Sequence, residues 1–416
     1  MRRGVRANLP EVARTAVGIV LGLVSSPLAA QAPWLAPGAQ AIGVFTQQNP
    51  IPGGGSLGEA RLVQPVAMIE AGWGRLTLTA TADVEGLTIP NGELTIGAYG
   101  EGFVDRRHPH TYVHELILAA HDVLGRADGP ASLSLALGKG FAPFGPDDPM
   151  SRPVERYPVN HHLAQILERA LVGAGVRVGP ALLEAALFNG DEPENPSEWP
   201  KVSRVGDSWS ARLTVSPLRG VEWEASLARV HSPEQRGGAG PDQSKWNTSA
   251  RYQGSDGAAQ WYGLLSIART SEANGAFVFQ SQAAEGSVTL GRHTPYLRIE
   301  RTERPEEERT TDPFRTVRPL LESSILGVTR WTIFTAGYGY DLRPRGPLAV
   351  RPFGEVSYAR IAKVGSGLFD PQTTYGRTFS WTLSVGVAVR WKMTGHRMGH
   401  YLDDRAMSGM AGMRGM

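Results

Sequence analysis

The sequence predicts an all-β fold: a transmembrane antiparallel barrel of about sixteen strands whose third external loop folds inward. Three observations carry that prediction: a long closing strand with one wholly apolar face, the return of the same alternation along the chain, and a rhythm of long and short gaps.

The closing strand spans residues 379–391. Its odd positions are Phe379, Trp381, Leu383, Val385, Val387, Val389 and Trp391, and its even positions are Ser380, Thr382, Ser384, Gly386, Ala388 and Arg390. Successive side chains of a strand point to opposite faces, so one face is apolar and the other small and polar. Trp381 and Trp391 bracket ten residues, about 33 Å of extended chain. Tilted by about 40°, that length projects to about 25 Å, the height of the apolar band between the aromatic girdles of a membrane barrel.

The chain before it opens with a secretory pattern. Arg2, Arg3, Arg6 and Arg14 precede an apolar core from Ala16 to Val24, with cleavage expected after Ala32 or Ala30. The expected signal is residues 1–32, followed by a Pro/Gly-rich lead over 33–58. Without Arg2, Arg3, Arg6, Arg14 and Glu11, the 42 basic and 40 acidic residues fall to 38 and 39, so no excess charge points to nucleic acid. With no Cys there is neither a disulfide framework nor thiolate chemistry. The 50 Gly and 30 Pro suit many turns, and closure into a barrel removes the exposed sheet edges.

Alternation begins at Leu76, Leu78, Ala80 and Ala82 against Thr77, Thr79 and Thr81. It recurs with Leu133, Leu135 and Leu137, then with Trp209, Ala211, Leu213 and Val215 against Ser210, Arg212, Thr214 and Ser216. Val221, Trp223, Ala225 and Leu227 alternate with Glu222, Glu224 and Ser226, and Trp261, Leu265 and Ile267 continue the series. The stretch from His110 to Asp122 has apolar and polar residues on both faces. The strands expected are 60–70, 75–84, 93–104, 111–122, 131–140, 168–178, 180–189, 203–216, 220–231, 244–254, 257–270, 275–286, 293–303, 322–342, 348–361 and 378–391. From the fifth strand onward the gaps run long, then short, apart from the pair around residues 271–292. Membrane barrels pair long external loops with short periplasmic turns, which makes every odd-to-even connection external.

Residues 141–167 are the longest gap with helical character. Pro143, Pro146, Pro149, Pro153 and Pro158 forbid ladder pairing through most of it. Asn160 can then cap a short helix on which Leu163, Ile166 and Leu167 fall at helical spacing. Its charges, from Lys139 to Arg169, are Lys139, Arg152, Arg156 and Arg169 against Asp147, Asp148, Glu155 and Glu168, a balance of zero. Folded into the barrel, Lys139, Asp147, Asp148, Arg152, Glu155, Arg156, His161 and His162 are the expected constriction.

The segment Gly138 to Gly145 (GKGFAPFG), then LERAL from Leu167, then Gly175 to Gly190 (GVRVGPALLEAALFNG) resembles the phosphate-selective porins O and P. The stretch Ala336 to Ile361 is similar to that family's penultimate hairpin. The resemblance covers about a third of the chain. It implies a sixteen-stranded outer-membrane porin with an inward third loop. The balanced charge of residues 139–169 does not supply the Arg or Lys excess that a phosphate pore needs. Strand 293–303, with Arg298 and Arg301 on opposite faces beside Glu300 and Glu303, reads as a mixed-charge wall.

No enzyme motif appears. His114-Glu115 lacks the second zincin His, and there is no Gly-x-Ser-x-Gly or P-loop. His110 and His114, four apart on an expected strand, would lie about 13 Å apart, too far to share one metal ion. The tail 392–416 is expected to be a flexible, periplasmic, Met/His-rich extension. Its His396, His400, Met407, Met410, Met413 and Met416 are a candidate soft-metal set suited to Cu(I). It also departs from barrels whose chain ends on the aromatic residue of the closing strand, a role open here to Trp391.

The function expected is a passive diffusion channel for small hydrophilic solutes or ions, needing no cofactor. Barrel-anchored copper binding through the tail is the alternative. The expected partners are outer-membrane lipid, the barrel-assembly machinery and the solutes themselves, with a homotrimer as a candidate assembly and no nucleic acid.

Overall fold

A computed structural model describes residues 33–402, apart from 52, 89–109, 127, 156–160, 194, 236, 258, 308–324, 343–345 and 394–396. The expected signal (residues 1–32) and the end of the tail (403–416) lie outside the described residues.

Sixteen antiparallel strands, each paired with its sequence neighbour, form a closed barrel: β1 (Trp34–Asn49), β2 (Leu57–Trp73), β3 (Leu76–Asp83), β4 (Val113–Gly125), β5 (Ala131–Gly140), β6 (Arg169–Val178), β7 (Ala181–Phe188), β8 (Ser208–Leu218), β9 (Val221–Val230), β10 (Gln243–Ser255), β11 (Ala259–Glu272), β12 (Phe277–Leu290), β13 (His293–Glu307), β14 (Ile325–Tyr340), β15 (Leu348–Val364) and β16 (Phe379–Trp391). Closure is made by β1 against β16, with Ala39 opposite Trp391 and Asn49 opposite Trp381. Every backbone donor and acceptor row thus has a partner strand, the condition for a sheet to cross a bilayer.

The wall is inverted relative to a water-soluble core. On β16, Leu383 is 54% exposed while its neighbour Ser384 is 1% exposed. Trp209, Trp223, Leu227, Trp261, Leu265 and Ile267 also point outward, whereas Ser210, Arg212, Glu222, Glu224 and Ser226 are buried on the inner side. An apolar exterior around a polar interior is the pattern of a lipid-facing barrel wall.

The sixteen strands are not the sixteen expected from sequence. Residues 34–49, read as part of a lead, form β1. Ile42 and Val44 face inward there, in a cluster with Val63, Phe353 and Ala388, while Gly43 faces out. Its alternation therefore lacks a marked apolar outer face. The expected strand 93–104 lies outside the described residues, and the wall is complete without it because β3 pairs directly with β4. Residues 325–340 form one strand, within the bounds 322–342 expected for it. The two shifts offset one another, so the connection 141–168 between β5 and β6 is still the third on the long-loop end.

The mixed pattern of β4 has a local cause. Thr81 pairs with Glu115 and Ala82 with Val113, which makes His114 the extra residue of a bulge, and His114 and Glu115 are both buried. Because β4 starts only at Val113, the chain before it turns back. His110 Nδ1 lies 3.3 Å from His114 Nδ1, not a strand's four-residue span away.

Candidate functional site

The connection between β5 and β6 enters the lumen. Its ends are drawn together by the amide of Ala142, which donates to the Ile166 carbonyl at 3.0 Å. Asp148 caps a single 3-10 turn (Pro149–Ser151), its Oδ1 accepting from the Met150 amide at 2.8 Å. The Arg152 guanidinium folds back on the Asp147 carbonyl, with Nε at 2.6 Å. Together these contacts orient the Asp147 side chain away from its own turn and towards the wall.

Asp147 accepts from Arg251 Nη1 of β10 at 2.7 Å and from Arg397 Nη2 of the tail at 2.7 Å, and it lies 2.8 Å from His400 Nε2. Arg397 also reaches Glu222 of β9 at 2.6 Å. Arg212 of β8 pairs with Glu184 of β7 at 2.7 Å and donates to the carbonyls of Gly145 at 3.1 Å and Gly399 at 2.6 Å. Wall, loop and tail are therefore joined in one ion-paired network.

The rest of the loop reaches other sectors of the wall. Gln64 of β2 donates to the Glu155 carbonyl at 2.7 Å, and Arg390 of β16 is paired with the Glu155 carboxylate. Arg152 lies 3.5 Å from Glu285 of β12, which also takes the Tyr262 hydroxyl of β11 at 2.7 Å and Arg298 Nε of β13 at 2.7 Å. Arg298 is buried and Arg301 exposed, as the opposite faces of that strand require. Leu163, from a short helix (His161–Ala164), packs against Ala268 and Phe279 of β11 and β12.

The tail does not behave as a free extension: residues 397–402 are packed inside the lumen. Met398 sits in an apolar cluster with Val66, Met68, Phe141, Met150 and Leu167. The Tyr401 hydroxyl donates to Glu115 at 2.5 Å and accepts from the Phe141 amide at 3.0 Å. Gly140 and Gly175 make room for it. A Cβ at Gly140 would come within 2.5 Å of the Tyr401 hydroxyl, and one at Gly175 within 2.9 Å of Leu402 Cβ.

The protonation of the network follows from this geometry. Burial alone would push the Asp147 carboxyl up, but Arg397, Arg251 and His400 hold it well below the usual carboxylate range. Burial, reinforced by Arg212 and Arg397, pushes the His400 imidazole down to about 3.

Of the residues expected at the constriction, Asp147, Asp148 and Arg152 share one turn of the inserted loop, Arg152 folding back on the Asp147 carbonyl and Asp148 capping the 3-10 turn. Glu155 engages the opposite sector of the wall. Lys139 lies elsewhere, 3.3 Å from Glu168 in a cluster on the inner wall. Arg156 is outside the described residues, and only the backbone is described for His161 and His162. Of the candidate copper ligands, His400 is committed to the Asp147 network, while His396, Met407, Met410, Met413 and Met416 lie outside the described residues. The sequence reading missed Arg397 and Tyr401, which it treated as free tail. The wall partners Arg212, Glu222 and Glu224 were already visible as the polar faces of their strands.

No family model matches the sequence, and no curated protein matches it. Among solved structures, the chain is similar to an anion-selective porin from Comamonas acidovorans at 12% identity, covering 86% of this chain and 100% of that one with a TM-score of 0.49. It is similar to OmpF of Salmonella typhi in complex with daunomycin at 11% identity, covering 86% and 97% with a TM-score of 0.48. It is also similar to OccK2 of Pseudomonas aeruginosa at 11% identity, covering 86% and 97% with a TM-score of 0.36.

Proposed function

We propose that this chain is an outer-membrane porin, a passive diffusion channel for small hydrophilic solutes or ions. Its constriction is built by the loop 141–168 and the tail segment 397–402 against the inner wall. The observation that supports this most is Asp147, held between Arg251 of the wall and Arg397 of the tail. Fixed charges at a narrowing of a polar lumen sort solutes by size and charge with no chemical step. Acids (Glu184, Asp147, Glu222, Glu224) and guanidinia (Arg212, Arg251, Arg397) are interleaved at this level, which favours weak charge selectivity over a phosphate-specific filter.

The test is single-channel conductance of the purified full-length protein in planar bilayers, with reversal potentials measured in a salt gradient. Stepwise, ohmic conductance with weak ion selectivity is the expected result. A correctly folded barrel that conducts neither as full-length protein nor after removal of residues 393–416 would sink the reading.

A further inference from the structure

Away from the constriction, three buried side chains meet where the β3–β4 connection joins the wall. Asp83 ends β3, His110 precedes β4 and His114 is the bulged residue of β4. One ligand atom from each lies within 4.8 Å of the other two. Their exposures are 1%, 6% and 0%. Asp83 Oδ2 and His114 Nε2 are buried without a hydrogen-bond partner, a costly state for a carboxylate oxygen.

Glu168, the residue before β6, engages Nδ1 of both imidazoles. Its Oε1 lies 2.9 Å from His114 Nδ1 and 3.3 Å from His110 Nδ1. The Thr111 amide donates to both of its oxygens, at 3.1 and 3.0 Å. A carboxylate on Nδ1–H turns the Nε2 lone pair outward and raises its basicity, the usual outer-shell partner of a metal-binding histidine. Lys139, 3.3 Å away, offsets the Glu168 charge. Asp83 receives the Glu85 amide at 2.8 Å on Oδ1, which leaves its negative charge beside two imidazoles.

We propose that Asp83, His110 and His114 form a binding site for a borderline first-row divalent cation of the Zn2+ class. Two imidazoles and one carboxylate suit such an ion, whereas Mg2+ and Ca2+ prefer all-oxygen shells. Tetrahedral Zn2+ holds neighbouring ligand atoms about 3.4 Å apart, so shifts of roughly 1 Å in the side chains close the set and leave a fourth position for water. The bound ion ties the chain before β4 to β3 and, through Glu168, to the end of the inward loop. The site stands independently of the channel reading.

The test is calorimetric titration of metal-stripped, folded full-length barrel with Zn2+ at pH 7.5, with Mg2+ as comparison and Co2+ as a visible-absorption probe. The expected result is one Zn2+ per chain, no Mg2+ binding, and intense tetrahedral-type Co2+ bands. Affinity should fall at least 100-fold in Asp83→Asn/His114→Gln and survive truncation after Lys392. Folding of each variant is checked by the mobility of unheated samples on SDS gels. If the double variant does not fold, Asp83→Asn alone, which preserves shape, carries the comparison. Absence of saturable Zn2+ binding by the wild type, undiminished binding by the substituted barrel, or loss of binding on truncating the tail would each overturn the assignment.

Discussion

Arg397 of the tail grips Asp147 of the β5–β6 loop through two guanidinium nitrogens, Nη2 at 2.7 Å and Nε at 2.9 Å, across 250 residues of sequence. Both partners are withdrawn from bulk water, and Arg397 bridges on to Glu222 of β9. Such a pair is costly to assemble, yet breaking it strands a buried charge at roughly 3–5 kcal/mol. It is thus the latch between the two inserted segments.

Removing the latch should open the lumen. Truncation after Lys392 deletes residues 397–402 and no ladder bond of the wall, since β16 ends at Trp391. Conductance should rise severalfold, with unheated gel mobility unchanged. Arg397→Ala should give part of the same increase, with bursts of the larger level. Identical traces from wild type and truncated protein would show that the tail does not restrict the path.

Charge at the same point should set ion preference. Asp147→Asn removes a lumen carboxylate and leaves Arg251 and Arg397 less compensated, so the reversal potential should move towards anions. Asp148→Asn should change little, because Asn also caps the turn and Oδ1 of Asp148 is spent on the Met150 amide. Equal shifts from the two substitutions would remove Asp147 from the conduction path.

Acid should loosen the tail. His400 is surrounded by Asp147, Glu224, Arg212 and Arg397, and its imidazole titrates near 3 when docked against about 6.5 when released. The released tail therefore binds more protons between these values. The His400 contribution to docking is complete above about pH 6.5 and is lost as pH falls towards 3. Asp147, held below its ordinary value, adds to the loss only below about pH 4. Conductance should rise from pH 6.5 to pH 4 in wild type, and His400→Gln should flatten that rise. A pH-independent wild-type conductance over this window would contradict the docked geometry.

The wall should punish charge on its outer face. Leu383→Arg places a cation where a lipid-facing leucine stands and should destabilise the barrel by about 2–4 kcal/mol if it lies near the bilayer midplane. Leu383→Phe should be near neutral. Ser384→Ala, on the inner face, removes a hydrogen bond with Thr46 of 3.0 Å and should cost only about 1 kcal/mol. Urea titration of the barrel in lipid vesicles measures all three, and a tolerated Leu383→Arg would reverse the register.

Period-two alternation is a property of neighbouring residues, so the barrel class, the outward face of Leu383 and Trp223, and the inward face of Arg212 and Glu222 were determined by the sequence itself. The run of prolines between Pro143 and Pro158 likewise excluded that segment from the wall. β1 escaped because inward Ile42 and Val44 and outward Gly43 blur the alternation that marks the other strands. The approach of His110 to His114 escaped because a bulge and a chain reversal break the strand rule locally. Only the tertiary structure decided that Arg397 and His400 enter the lumen to meet Asp147. That choice rests on a charge, a cavity and two glycines contributed by distant strands, none of which leaves a periodic trace in the tail's own residues.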